Sequence, residues 1–314
     1  LAEGEPRATR GAAGGAAPAV VDISMPFDAF LEAAWNDHGD RPREVAERLA
    51  ASLGVVAAPE HVAPYARIVT HVFGEHLGEW KRGVEVLRSL RELPAFDRSP
   101  AAEGAIARGI GALRYAEGDA RALEALPQDD RIAAIATASS AFAGLGEFKR
   151  ALDAYAQALA LADAGLPEGS PALRALAIGG NNLAAALEEK RDRDDAETQG
   201  MGAAAQAGLD YWKRAGTWFE EERAHWRLAK CLLAAGRPRE AVASAARCIE
   251  VCDRNEAPAF ERFFGHAALA LAHREAGDAE AFGTARRSAF ACYEQIPDGE
   301  RAWCEPELKA LADR

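Results

Sequence analysis

Six residues in the second half of the chain carry side chains suited to holding another polypeptide: Asn181, Asn182, Arg223, Trp226, Arg227 and Lys230. Asn181 and Asn182 interrupt "IGGNNLAAALEEK" (178–190), which otherwise has the spacing of a helix. Asparagine is a poor helix-interior residue because its side chain competes for backbone hydrogen bonds. Its amide offers a donor and an acceptor together, the pair that matches an extended peptide backbone whatever its side chains. Arg223 and Arg227 lie one turn apart in "RAHWRLAK" (223–230), a spacing that can grip a carboxylate or phosphate in charge-assisted bonds. Lys230 continues the row, and Trp226 adds the flat apolar surface that anchors interfaces. A purely structural use competes with this one. Asn181 can bond a neighbouring backbone, the glycines before it can permit close packing, and Arg223 can pair with Glu220 on its own helix, an exposed pair of little energetic weight.

Metal and thiol chemistry has weaker support. His225 and His266 each stand eleven residues before a glycine, Gly236 and Gly277, and His273 lies two turns beyond His266. Cys248 and Cys252 share a helix face at i, i+4, a spacing that can chelate. No second paired Cys/His motif accompanies them, so they read as buried structural thiols and the histidines as packing residues. An all-helical metal- or thiol-dependent catalyst built on His225, Cys231 and Cys248 is the enzyme alternative. The chain has no G-x-x-x-x-G-K-[ST], G-x-S-x-G or H-E-x-x-H motif. "GAAGG" near the start precedes no strand–helix unit, and Glu188–Glu189 and Asp194–Asp195 read as solvated helix ends. The expectation is a protein without catalysis, metal or cofactor.

Composition narrows the partners. The chain has 314 residues, 49% hydrophobic and 27% charged, with a net charge of −12. That acidity argues against general affinity for nucleic acid or anionic membrane, and no apolar run reaches the roughly 18 residues of a membrane span. The five cysteines are odd in number and confined to residues 231–304, which fits a reducing, cytoplasmic setting better than a disulfide framework. Residues 1–25, rich in Gly, Ala and Pro, read as a disordered leader.

The elements that must position these residues are helices about 12–20 residues long, separated by Gly, Asp or Pro turns. No stretch alternates in the manner of a strand. Similar turns recur at Gly39, Gly78, Gly118, Gly146, Arg191, Gly236 and Gly277, spaced by 28 to 45 residues. In the central units Ala151, Ala196 and Ala241 lie five residues after the turn, and Ala158, Ala203 and Cys248 twelve after it. Small residues there let antiparallel helices approach closely. The shortest spacing predicts a stunted second helix over 120–126, stopped at Pro127.

This arrangement resembles the tetratricopeptide repeat. "LGEFKRALDAYAQAL" carries the second-helix pattern of that family, with its turn glycine, Phe148, Ala151, Tyr155 and Ala158. "NNLAAALEEKRDRDDAE" is similar to the longer-period repeats of kinesin light chains and bacterial peptide-sensing regulators. The resemblance covers residues 26–296. Arg191 stands where the family has a turn glycine, and Phe282 where it has a small residue. It implies an all-α, right-handed superhelix (an α-solenoid) of about seven hairpins, with residues 297–314 as a capping helix that covers the last repeat through Trp303 and Leu308. It also implies a concave groove lined by Asn181, Asn182, Arg223, Trp226, Arg227 and Lys230. In one subset of the family, asparagine and basic residues of successive first helices hold a peptide's C-terminal carboxylate. Asn182, Arg223 and Arg227 match that subset, whereas Ala136 and Ser140 replace its lysine and second asparagine. The expected function is a non-enzymatic scaffold for an extended peptide or protein tail. A sensor module for a small peptide signal, acting through a separate effector, is the alternative, and self-association through Trp-bearing surfaces is a third reading.

Overall fold

The computed structural model describes residues 25–312, so the expected leader lies outside the described residues except for Met25. Among them there are fourteen α-helices and no strand. No described helix is long and apolar enough to cross a membrane. The chain divides between Ala175 and Leu176 into two compact units.

The first unit holds α1 (Phe27–Asp37), α2 (Pro42–Ala51), α3 (Pro59–His71), α4 (Trp80–Ser89), α5 (Pro100–Glu117), α6 (Gln128–Gly144), α7 (Phe148–Ala162) and the start of α8 (Pro171–Glu189). The second holds the rest of α8, then α9 (Asp195–Ala215), α10 (Trp218–Ala234), α11 (Pro238–Arg254), α12 (Ala259–Glu275), α13 (Ala279–Tyr293) and α14 (Glu305–Ala312). Consecutive helices pack on one another: α6 on α7 in the first unit, and α9 on α10, α10 on α11 and α12 on α13 in the second.

Local chemistry sets the helix boundaries. Proline opens α2, α3, α5 and α11, where its missing N–H has no intrahelical partner to lose. Asp194 with Glu197 and Thr217 with Glu220 form reciprocal capping boxes at the starts of α9 and α10. Five of the seven turn positions, Gly78, Gly118, Gly146, Gly236 and Gly277, have φ between +64° and +110°, the left-handed region in which a side chain is strained. The stunted second helix of the third repeat is a 3-10 turn, Ala120–Leu123.

One register differs from the spacing argument. Ala196 and Ala203 are exposed. Burial on α9 falls on Met201, Ala204, Ala205, Gly208 and Trp212, which repeats the intervals of Ala151, Ala154, Tyr155, Ala158 and Ala162 on α7 and of Ala241, Ser244, Ala245, Cys248 and Cys252 on α11. The α8–α9 connection and an extra helical turn displace the buried face by five residues from the position that Arg191 suggests. The helix obeys its apolar residues rather than the count from the turn.

In the first unit α3 runs into a π turn, Val72–His76, before α4 begins. Neighbouring helices press against this turn through residues that lack a side chain. A methyl group on Gly144 of α6 would lie 2.5 Å from both the carbonyl oxygen and Cγ of Glu75, and one on Gly83 of α4 would lie 2.8 Å from Cβ of Phe73. In the second unit the C-terminal segment folds back on α12, with Cys304 and Leu311 buried beside Phe263 and Ala289 and Leu308 packed at the margin. Trp303, expected to help cover the end, is 38% exposed.

The register makes a direct prediction. Met201→Ala removes a fully buried side chain and is expected to cost about 2–5 kcal/mol, whereas Ala203→Ser, on the exposed face, changes stability by less than about 0.5 kcal/mol. Urea unfolding of the two variants checks it, and a reversed order would restore the register counted from Arg191.

Candidate functional site

All six sequence-selected residues fall in the second unit, on α8 and α10. Asn181 and Asn182 are half-buried. They sit where α9 crosses α8 at backbone distance: a methyl group on Gly208 would lie 3.0 Å from Asn181 N and 3.3 Å from Ala177 O. The glycine-rich stretch before the asparagines therefore has a packing role of its own.

On α10 the basic residues already hold carboxylates from the chain itself. Arg223 donates through Nη2 to Oε1 of Glu261 at 2.8 Å and through Nε to Oε2 at 3.3 Å, a two-pronged pair with α12, and its guanidinium lies 4.1 Å from the Phe219 ring centre. Arg227, 8% exposed, donates to Glu188 of α8 at 3.1 Å. Lys230 Nζ lies 3.6 Å from the same Glu188 carboxylate and 3.9 Å from that of Glu307 on α14. Between these cations stands the half-buried Trp226. Arg227 and Lys230 approach its ring to 4.8 and 4.9 Å, and Phe264 meets it edge-on at 5.7 Å. Burial pushes the Glu307 carboxyl above its ordinary value, against the pull of Lys230.

Next to Trp226 a cleft of about 350 Å³ opens, lined by Trp226, Lys230, Leu233, Leu271, Arg274 and Glu307 among others. Arg274 spans part of it and donates to the carbonyl of Ala310 at 2.8 Å. The site therefore joins an apolar floor to paired charges rather than presenting an uncompensated cationic grip.

Behind it lies a buried acid that the sequence reading did not single out. Glu222, 1% exposed, accepts from the thiols of Cys248 at 3.3 Å and Cys252 at 3.8 Å. Burial first, then a shared hydrogen bond with Glu261 and its charge, push the Glu222 carboxyl up to about 10. It is thus a neutral acid near pH 7, and the Cys248 thiol is held well above its ordinary value. His225, Cys231 and Cys248 are not brought together as one set of metal ligands. Among the described residues, two groups of three or more His, Cys, Asp or Glu ligand atoms lie within 4.8 Å of one another, and neither contains His225 or Cys231. Burial lowers His225 to about 4 and pushes the Cys231 thiol to about 12.

The other group, His38, His71 and His76 in the first unit, was not legible from spacing. His71 and His76 stand five apart, on different faces of an α-helix, and His38 comes from another element. A scan of the chain against protein-family models and a comparison with characterised proteins both find no match.

The neutral Glu222 generates a pH prediction. Its folded value exceeds its ordinary one, so between about 4.5 and 10 the native state holds a proton that the unfolded chain has released, and stability falls as pH rises. Glu222→Gln keeps the neutral shape and removes that slope. Denaturation midpoints at pH 7 and 8, above the range in which His225 titrates and below that of unfolded thiols, should fall in the wild type and stay nearly level in the variant. Equal slopes would mean that Glu222 is ionised.

Proposed function

We propose that the chain is a non-enzymatic binding scaffold of the tetratricopeptide type, with the α10 face of the second unit holding an extended peptide or protein tail. The observation that carries this reading is the cleft beside Trp226, where apolar wall and a few placed polar groups converge, the usual makeup of a ligand site. The chain's own α14 supplies the template for what enters. Arg274 takes a backbone carbonyl from it and Lys230 lies near its Glu307 carboxylate. A guanidinium on a carbonyl and an ammonium near a carboxylate are also the contacts an extended acidic tail would use.

The roles of the six residues then separate. Arg223 and Arg227, engaged with Glu261 and Glu188, hold α8, α10 and α12 in place. Removing either leaves a carboxylate in a low-polarity setting without its partner, which is costly. Trp226 and Lys230 meet the ligand. Asn181 and Asn182, half-buried on α8, are assigned to its backbone. An incoming carboxylate must compete with Glu307 for Lys230, so the scaffold favours tails with several acidic groups over a single terminal carboxylate.

Selection from a display library of extended peptides should enrich acidic sequences on the wild type. A Trp226→Ala, Lys230→Met variant of verified folding should bind the enriched peptide about tenfold more weakly, the effect of losing roughly 1–3 kcal/mol of contacts. Glu307→Gln should bind it more tightly. No enrichment, or equal affinity in all three proteins, would sink the reading.

A further inference from the structure

The first unit contains a constellation unrelated to peptide binding, and we propose that His38, His71 and His76 form a site for a divalent first-row transition metal, zinc or a close neighbour, with one coordination position left open. The nitrogens that would ligate lie within 4.8 Å of one another. The three rings sit at the corners of a nearly equilateral triangle, with centre-to-centre distances of 4.9, 5.0 and 4.8 Å. Nε2 of His71 and Nε2 of His76 are 3.1 Å apart. Two imidazoles on one tetrahedral zinc, each about 2.0–2.1 Å from it, hold their nitrogens about 3.3 Å apart. The pair therefore needs only a few tenths of an ångström of adjustment.

The opposite sides of the rings are oriented as metal-binding histidines require. Nδ1 of His71 lies 3.1 Å from a carboxylate oxygen of Glu75, and Nδ1 of His38 meets the carbonyl of Trp35. A ligating histidine generally donates its second ring N–H to a carboxylate or backbone carbonyl, which fixes the tautomer and makes the other nitrogen the ligand. By that rule Nε2 is the ligand atom of both His38 and His71, as the ring geometry already indicates for His71 and His76.

The fold holds this geometry firmly. A π turn bonds residue i to residue i+5 and so brings positions five apart onto one face, where an α-helix would splay them. The turn Val72–His76, entered from His71, thereby sets His71 beside His76. Gly144 of α6 backs Glu75 at a distance where even a methyl group would collide with its backbone oxygen. Trp35 packs against both His38 and His71, with ring centres 5.2 Å apart in each case, and Arg67 stacks on the same indole. π turns are rare in proteins and frequent at functional sites.

Ligand chemistry selects the metal class. Three imidazoles suit zinc, copper, nickel or iron rather than calcium or magnesium, which prefer oxygen. Three protein ligands, each half-buried, leave a fourth position for water or a small anion, as in sites that activate bound water and unlike the four-ligand structural sites.

The test uses full-length protein purified without an affinity tag. Zinc content by mass spectrometry and titration of apo protein with Zn²⁺ against a chelating dye should give one tight site per chain, and Co²⁺ should show the intense visible bands of a tetrahedral centre. His76→Gln should abolish the site. Glu75→Gln, which leaves all three ligands in place, should weaken it about 10- to 100-fold, and circular dichroism establishes that each variant is folded. A Cys248→Ser, Cys252→Ser protein should bind unchanged. Failure of the wild type to bind either ion, full retention in His76→Gln, or loss confined to the cysteine variant would overturn the assignment.

Discussion

Close approach of neighbouring elements at residues without side chains is the constraint on which both units depend. Helices packed through Leu or Phe leave room for adjustment; helices packed on glycine do not, because nothing lies between the chains to yield. Gly208 sets α9 against the Ala177–Asn181 stretch of α8, and Gly144 and Gly83 close on the π turn. The first contact supports the segment that carries the asparagines, and the second pair holds His71 and His76 in their register. In each unit residues able to do chemistry, Asn181 in one and His71 and His76 in the other, sit beside such a contact, and rigid support of this kind keeps a constellation positioned.

Charge is the second organising term. α10 brings Arg223, Arg227 and Lys230 to one side, and burying three cations without partners would be prohibitive. The chain answers with Glu261 from α12, Glu188 from α8 and Glu307 from α14. The pairs link elements rather than residues of one helix, so they specify which helices lie beside α10 more than they add net stability. Burial first, and then Glu261, keeps Glu222, one residue from Arg223, protonated. Arg223 commits both prongs to Glu261 and approaches Glu222 only to 3.7 Å, leaving the buried acid to the thiols and to a proton shared with its neighbour.

Much of this was legible in the sequence. Prolines at helix starts and left-handed glycines at helix ends place most boundaries, because each acts through its own backbone and needs no tertiary information. Register is ambiguous where that local signal is missing. Arg191 has no glycine's freedom, and a count from it sets the buried face of α9 five residues too early, on Ala196 and Ala203. The alternation of Met201, Ala204, Ala205 and Gly208 was available to correct it. Partners were harder. Arg223 to Glu261 and Arg227 to Glu188 span 38 and 39 residues, close to one repeat, but no spacing reveals which of many carboxylates lies opposite. The histidine cluster was least legible of all, because it depends on a π turn, and the sequence carries no separate code for one extra residue per turn.

The two ligand clusters differ in a way that separates a metal site from a packed core. A metal displaces protons, so a site binds well in proportion to how readily its ligands give them up. At Glu222, Cys248 and Cys252 burial works against this: the carboxyl is pushed up to about 10 and the Cys248 thiol well above its ordinary value, and the protons already satisfy one another across the cluster. An ion entering there would have to expel them from an enclosed interior. At His38, His71 and His76 two of the rings already have acceptors at Nδ1, and all three are only half-buried. Coordination there needs no reorientation of those two rings. Sulfur-rich composition makes the first cluster look like the metal site, but the exposure and the oriented rings of the second favour it.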